Sequence, residues 1–185
     1  MMTLTLIRHA PVIADWDIRL SSSELGEWIN DYDTASINTT PPDAAVQELL
    51  QQSDYIVASS LSRTHDSLAV LGITPDMTDS LFDEAPIPSS DGHLLRLKPN
   101  QWLVWYRILW MLGLLRGDAS FRAVRTRAEQ AADRLIALAK EHGDVVLMGH
   151  GGINHLIGRV LRQRGWSVEE KGGVKNWGFW RYEAM

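Results

Sequence analysis

Residues 3–10, TLTLIRHA, run from an apolar stretch straight into a cation and an imidazole. Thr3 to Ile7 is β-branched or aliphatic throughout, the pattern of a strand covered on both faces. No turn residue follows; Arg8 and His9 come next. Two further runs, Tyr55–Ala58 and Val145–Met148, have the same buried-strand character. Helical patterns separate them. Residues 43–52 follow Pro41-Pro42, a helix start with proline and an acid in the first turn. Ser120 reads as the N-cap of a long helix. Its stripe of Phe121, Val124, Ala128, Ala131, Leu135 and Leu138 keeps three-to-four spacing up to a basic last turn and Gly143. Residues 153–164 form another, with Leu156, Ile157, Val160 and Leu161 inward and Gly165 beyond. Strands alternating with helices predict an α/β fold, a three-layer α/β/α sandwich with a mostly parallel central sheet. The late segment WGFWRYE, residues 177–183, reads as an edge strand. Residues 77–117, rich in proline and tryptophan, break the alternation and predict a helical and loop excursion lying over the C-terminal edge of the sheet.

Composition narrows the function. A chain of 185 residues with 45% hydrophobic residues can bury one substantial core, so one domain over residues 1–185 is expected. The net charge of −5 gives no bulk attraction to nucleic acid or to an anionic membrane surface. Cysteine is absent, which removes disulfides, thiolate metal sites and cysteine nucleophiles. The N-terminal residues show no basic leader followed by an apolar run, so no secretory signal is expected and the cytoplasm is the expected compartment. Residues 102–115 are apolar, but they fall short of the ~20 residues a spanning helix needs and carry Arg107. Within them Trp102, Trp105 and Trp110 fall at helical spacing, which predicts core or lid packing.

In open parallel sheets ligands bind beyond the carboxyl ends of the strands. The first strand delivers Arg8 and His9 there. The second runs through Ser59-Ser60 to Arg63, and the third ends in Gly149-His150 followed by Gly151-Gly152 and a helix. Two arginines and two histidines thus converge on one edge, a set suited to a phosphoryl group. Arginine forks bind phosphate oxygens in pairs and stay charged. The paired glycines let backbone approach closely, and a helix start aims free N–H groups at an anion. A histidine there can donate hydrogen bonds or attack phosphorus, and neighbouring arginines favour its free base.

These motifs resemble the histidine phosphatase superfamily, the phosphoglycerate mutase-like enzymes. LIRHA is similar to the family's Arg-His-Gly signature, with Ala10 in place of the glycine. SSLSRTHDSL, residues 59–68, is similar to its Ser-Asp-Leu-x-Arg-x-x-x-Thr segment, with Arg63 on the arginine and Ser67 on the threonine. VVLMGHGGI, residues 145–153, resembles its second-histidine motif, with His150 in place, and LFDEAP sits where the family carries an acid. The resemblance implies that His9 is a nucleophile forming a phosphohistidine, and that Arg8, Arg63 and His150 bind the phosphoryl oxygens. It also implies that Glu84 is the proton donor, that no metal or other cofactor is needed, and that the partner is a small phosphorylated substrate or a phosphoprotein. An acid in this role must hold a proton near neutral pH, which burial or a neighbouring carboxylate favours; Asp83 is such a neighbour and a rival. The family often places Thr and Asn soon after its first motif; here the residues are APVIADW, and the nearest downstream asparagine is Asn30.

The implied reaction is hydrolysis of a phosphomonoester or of a protein phosphohistidine. A mutase is the nearest rival, and a phosphate-binding module without chemistry is the rival from another class. A serine hydrolase is set aside because no Gly-x-Ser-x-Gly elbow occurs. His150 and His155 are five apart, the wrong spacing for a helical metal pair, and His93 is a lesser candidate from the excursion.

Overall fold

The structure, a computed structural model, describes residues 2–87, 94–114 and 120–184. Its elements in order are β1 (Thr3–Arg8), α1 (Ser22–Thr34), α2 (Ala44–Gln52), β2 (Tyr55–Ala58), α3 (Ser62–Ala69), β3 (Met77–Thr78), α4 (Pro99–Met111), α5 (Phe121–His142), β4 (Asp144–Gly149), α6 (Gly151–Gln163), β5 (Trp166–Lys171) and β6 (Phe179–Ala184). A single 3-10 turn, Ser80–Phe82, follows β3. The strands form one sheet in the order β3-β2-β4-β1-β6-β5. The first four in that order run parallel, while β6 is antiparallel to both β1 and β5.

Burial on both faces explains the apolar runs. On one face Leu4, Leu6, Val57, Val145 and Leu147 pack with Leu135 of α5 and Ile153 and Ile157 of α6. On the other, Ile7, Ile56, Ala58, Val146 and Met148 meet Val46 and Leu50 of α2 and Leu68 of α3. Three layers result, as expected. A third apolar cluster joins Leu20 and Leu25 to Trp102 and Tyr106, so α1 and α4 pack on each other. Two polar links pin the pair: Trp102 Nε1 donates to the Leu20 carbonyl at 2.7 Å, and the Ser22 and Tyr106 hydroxyls lie 2.5 Å apart.

Several expectations need correction. WGFWRYE does not lie at an edge: β6 sits between β1 and β5, and the edge strand on that side is β5, whose mostly polar residues SVEEK hide it from an apolar scan. Met77 opens an edge strand of the sheet rather than the excursion, since Val57 and Ala58 pair with Met77 and Thr78. Pro41 and Pro42 stand outside α2, and Asp43 is its N-cap without a side-chain capping bond. Ser120 caps α5 as expected, accepting from the Ala123 N–H, but Phe121 is only half-buried. Trp102 is buried, whereas Trp105 faces outward with 47% of its surface exposed. Among the described residues no helix is long and apolar enough to cross a membrane.

One close approach of α6 to the sheet depends on a glycine. A Cβ built on Gly158 would overlap the hydroxyl of Tyr182, a residue buried in β6. Overpacking of this kind costs about 1–3 kcal/mol. Gly158→Ala should therefore lower the urea midpoint of unfolding, and adding Tyr182→Phe should recover part of the loss.

Candidate active site

The pairing of β1 with β4 places Arg8 opposite Gly149, and the His9 N–H donates to the Gly149 carbonyl at 3.0 Å. His9 and His150, 141 residues apart in the chain by subtraction of their numbers, thereby end side by side with ring centroids 5.1 Å apart. His9 is 3% exposed and its Nδ1 lies 2.6 Å from the Ala10 carbonyl. A carbonyl only accepts, so Nδ1 carries the proton and Nε2 carries a lone pair. Burial pulls the His9 pKa down to about 3, assisted by Arg63 and Arg8 and opposed by the Ala10 hydrogen bond. His9 is the free base at neutral pH.

His150 is fully buried, and both its ring nitrogens are engaged. Nδ1 accepts from Arg63 Nε at 3.3 Å, so Nε2 is the protonated nitrogen and donates to Ser59 Oγ at 2.7 Å. Burial first, then the cations around it, hold its pKa well below the usual histidine value. Arg63 itself is 3% exposed. Its Nη1 pairs with Asp33 at 2.7 Å, and its guanidinium lies 5.3 Å from the centre of the Tyr32 ring. Ser67, one helical turn beyond Arg63, accepts from the Ala10 N–H at 2.8 Å and donates to the Arg63 carbonyl at 2.5 Å. Ser67 thus ties α3 to the chain leaving β1. Arg8 donates from Nη1 to the Val174 carbonyl at 3.2 Å, while its buried Nε has no hydrogen-bond partner among the described residues.

Glu84 occupies the start of α6. Its carboxylate accepts from the Gly152 N–H at 3.0 Å and the Ile153 N–H at 2.9 Å, the place where the sequence led us to expect free donors for an anion. A Cβ on Gly152 would lie 2.6 Å from Glu84 Oε1, so glycine is what allows this approach. Arg127 of α5 donates to the Glu84 carbonyl at 3.1 Å and steadies the loop. Asp83 points elsewhere: it accepts from the Ser60 N–H at 2.8 Å and the Ser60 hydroxyl at 2.7 Å.

Arg8, His9, Arg63, Asp83 and Glu84 line one cavity of about 420 Å³, and His150 lies behind Arg63 and His9 rather than on its wall. Arg107 also reaches the cavity, whereas Arg96 and Lys98 are held by Glu24 and Asp17. Asn30 is not among the lining residues; asparagines that reach the first motif are Asn176, which donates to the His9 and Ala10 carbonyls at 2.9 and 3.1 Å, and Asn154, which donates to the Ile7 carbonyl at 3.0 Å. His93 lies outside the described residues. Among the described residues no group of three or more His, Cys, Asp or Glu is placed to hold a metal ion.

Sequence reasoning misses Tyr32, Asp33, Arg127 and Asn176. For the first two a signal exists: Ser21 and Glu24 form a reciprocal capping box ahead of the apolar spacing Leu25, Trp28, Ile29, Tyr32, which announces α1. Arg127 and Asn176 carry no local signal, because only the packing of α5 and of the β5–β6 loop brings them near.

Residues 43–177 match the model of the Histidine phosphatase superfamily (branch 1), and the chain belongs to that superfamily. The matched span includes Arg63, Glu84 and His150 and begins after Arg8 and His9. Solved structures of similar fold include a mycobacterial hydrolase (TM-score 0.57, 22% identity, 88% of this chain and 81% of that one covered). Another is a phosphoserine phosphatase variant of Entamoeba histolytica in complex with phosphoserine (TM-score 0.54, 16% identity, 98% and 90% covered). A third is an open reading frame product of Mycobacterium tuberculosis (TM-score 0.52, 18% identity, 89% and 80% covered). At these identities the likeness concerns the fold. No curated protein matches the chain in sequence.

The neutral state of His9 makes stability pH-dependent. The ordinary pKa is near 6.5 and the folded value about 3, so between these the unfolded chain binds a proton that the folded chain does not. Stability is therefore full above pH 6.5 and lost as pH falls toward 3. The urea midpoint should decline from pH 7 to pH 4, and His9→Asn should make that decline shallower.

Proposed function

We propose that this protein is a metal-independent phosphatase that hydrolyses a phosphomonoester of a small molecule through a phosphohistidine on His9. One observation carries the reading: a buried, neutral imidazole with its Nε2 lone pair unprotonated shares a cavity with two arginines. A phosphoryl group held between Arg8 and Arg63 meets cations matched to the charge on its oxygens.

In the first step the Nε2 lone pair of His9 attacks phosphorus, the bond from phosphorus to the leaving oxygen breaks, and that oxygen takes a proton from Glu84, which enters the step as the carboxylic acid while its oxygens keep accepting from the Gly152 and Ile153 N–H groups. The Nδ1–H bond to the Ala10 carbonyl supports the positive charge that develops on the ring. Water then attacks phosphorus and gives a proton to the Glu84 carboxylate, and the phosphorus–nitrogen bond breaks with its electron pair returning to His9. Inorganic phosphate leaves, and no net proton or electron is lost. His150 acts on the oxygens through Arg63, whose Nε it holds. Glu84 is favoured over Asp83 because its carboxyl group sits on the Gly152 and Ile153 N–H groups just after His150, whereas Asp83 is drawn to Ser60 in the loop ahead of α3.

Phosphate release from p-nitrophenyl phosphate with chelator present is the first test. Turnover should persist in chelator and vanish in His9→Ala, and alkaline quenching should trap a phosphohistidine at His9. A protein that binds phosphate but traps none there is a binding module. Glu84→Gln should slow an alkyl phosphate by about 10²–10⁴-fold, as loss of a general acid does, and an activated aryl phosphate far less. Equal losses on both would assign the proton elsewhere.

A further inference from the structure

We propose that the outer part of the cavity is a ring-binding subsite, so that the substrate is a phosphomonoester whose leaving group carries a flat aromatic or heteroaromatic ring. The inference rests on the phosphatase reading for the position of the phosphoryl group. The ring site stands on separate residues. At about 420 Å³ the cavity has room for far more than a phosphoryl group and falls in the range of small-molecule sites. Its outer wall is aromatic: Trp16, Trp28 and Tyr32 on the α1 side, Tyr106 and Trp110 from α4.

The three α1-side rings form an ordered surface. Trp28 and Tyr32 stack at 5.4 Å with their planes 21° apart. Trp16 stands edge-on to both, 5.1 Å from Trp28 and 5.6 Å from Tyr32. Such arrangements suit the quadrupoles of the rings and leave faces and edges for another ring to meet. Trp16 keeps 36% of its surface exposed while lining the cavity, an unusual position for a large indole that serves packing alone. It is held there, because Trp28 Nε1 donates to the neighbouring Asp15 carbonyl at 3.1 Å.

The wall is continuous with the phosphate site. The Arg63 guanidinium stands over Tyr32, so the cation that meets the phosphoryl group also touches the first ring of the wall. In-line attack by His9 sends the leaving group away from the imidazole and out into this cavity. Charge opposes a small anionic alternative. Asp33, Asp83 and Glu84 line the same cavity, and beyond Arg8 and Arg63 the remaining basic residue of the lining is Arg107, which is exposed. A second anionic group close to the phosphoryl group would face carboxylates, whereas an uncharged ring would face aromatic side chains.

The test separates the ring site from the chemistry. Affinities of the native protein for 2-naphthylmethyl phosphonate and ethyl phosphonate are measured by calorimetry, since phosphonates bind without being hydrolysed. In parallel, phosphate release is measured from 2-naphthylmethyl phosphate and ethyl phosphate, both esters of simple alcohols. Tenfold or tighter binding of the naphthyl compound, with that ratio falling toward one in Trp16→Ala and recovering in Trp16→Phe, is expected. The same ordering should appear in kcat/KM. Equal affinity for the two phosphonates, or no affinity for either, overturns the ring site whatever the turnover. A preference in binding without hydrolysis of either ester keeps the ring site and overturns the phosphatase reading.

Discussion

The parallel pairing of β1 with β4 is the constraint on which the site depends. Register Arg8 to Gly149 brings two strand ends level, and the bond from the His9 N–H to the Gly149 carbonyl continues the ladder one residue past the strand. A slip of one residue would carry Ile7 to the face that Leu4 and Leu6 fill and move every side chain of the strand to the opposite face, mismatching both packed surfaces. The register is protected by burial on both sides, with Leu4 and Leu6 on one face and Ile7 on the other. Two imidazoles from distant parts of the chain therefore meet without any direct bond between them.

Around that meeting point most polar groups are satisfied in a chain, the buried Nε of Arg8 being left without a partner among the described residues. Ser59, His150, Arg63 and Asp33 are linked in sequence, and Ser67 and Asn176 hold the backbone at Ala10 from two sides. Burying a polar group costs free energy unless its partner is made, and a connected network rigidifies what it joins. Burial first, and then the neighbouring arginines, hold both histidines neutral inside it. The result is a neutral imidazole beside two guanidinium groups, the combination that the proposed phosphoryl transfer requires.

The cover over this site is built from two segments that are far apart in the chain, α1 with its preceding loop and α4. Their shared apolar contacts hold them together, and Leu20 bridges to Leu97 through a pair of backbone bonds. Each contributes aromatic residues to the wall above His9. Variation in these segments alters the cavity wall without touching the strand ends, which separates the proposed leaving-group site from the proposed phosphate-binding groups.

The sandwich, its parallel strands and the meeting of Arg8, His9, Arg63 and His150 at one edge were legible in the sequence, because buried strands and their end residues leave a local imprint. Glu84 was legible only through the resemblance of LFDEAP to a family motif. Less visible were strands whose exposure masks their pattern, such as β5, and helices announced by a capping box rather than by a long apolar stripe, such as α1. The tertiary structure alone decided that β6 lies inside the sheet, that Glu84 sits on the first N–H groups of α6, and that Asp33, Arg127 and Asn176 bond to Arg63, Glu84 and the His9-Ala10 backbone. The physical reason is the same in each case. Apolar periodicity is a property of neighbouring residues, whereas a hydrogen bond between groups many residues apart exists only once the core has packed and brought them within reach.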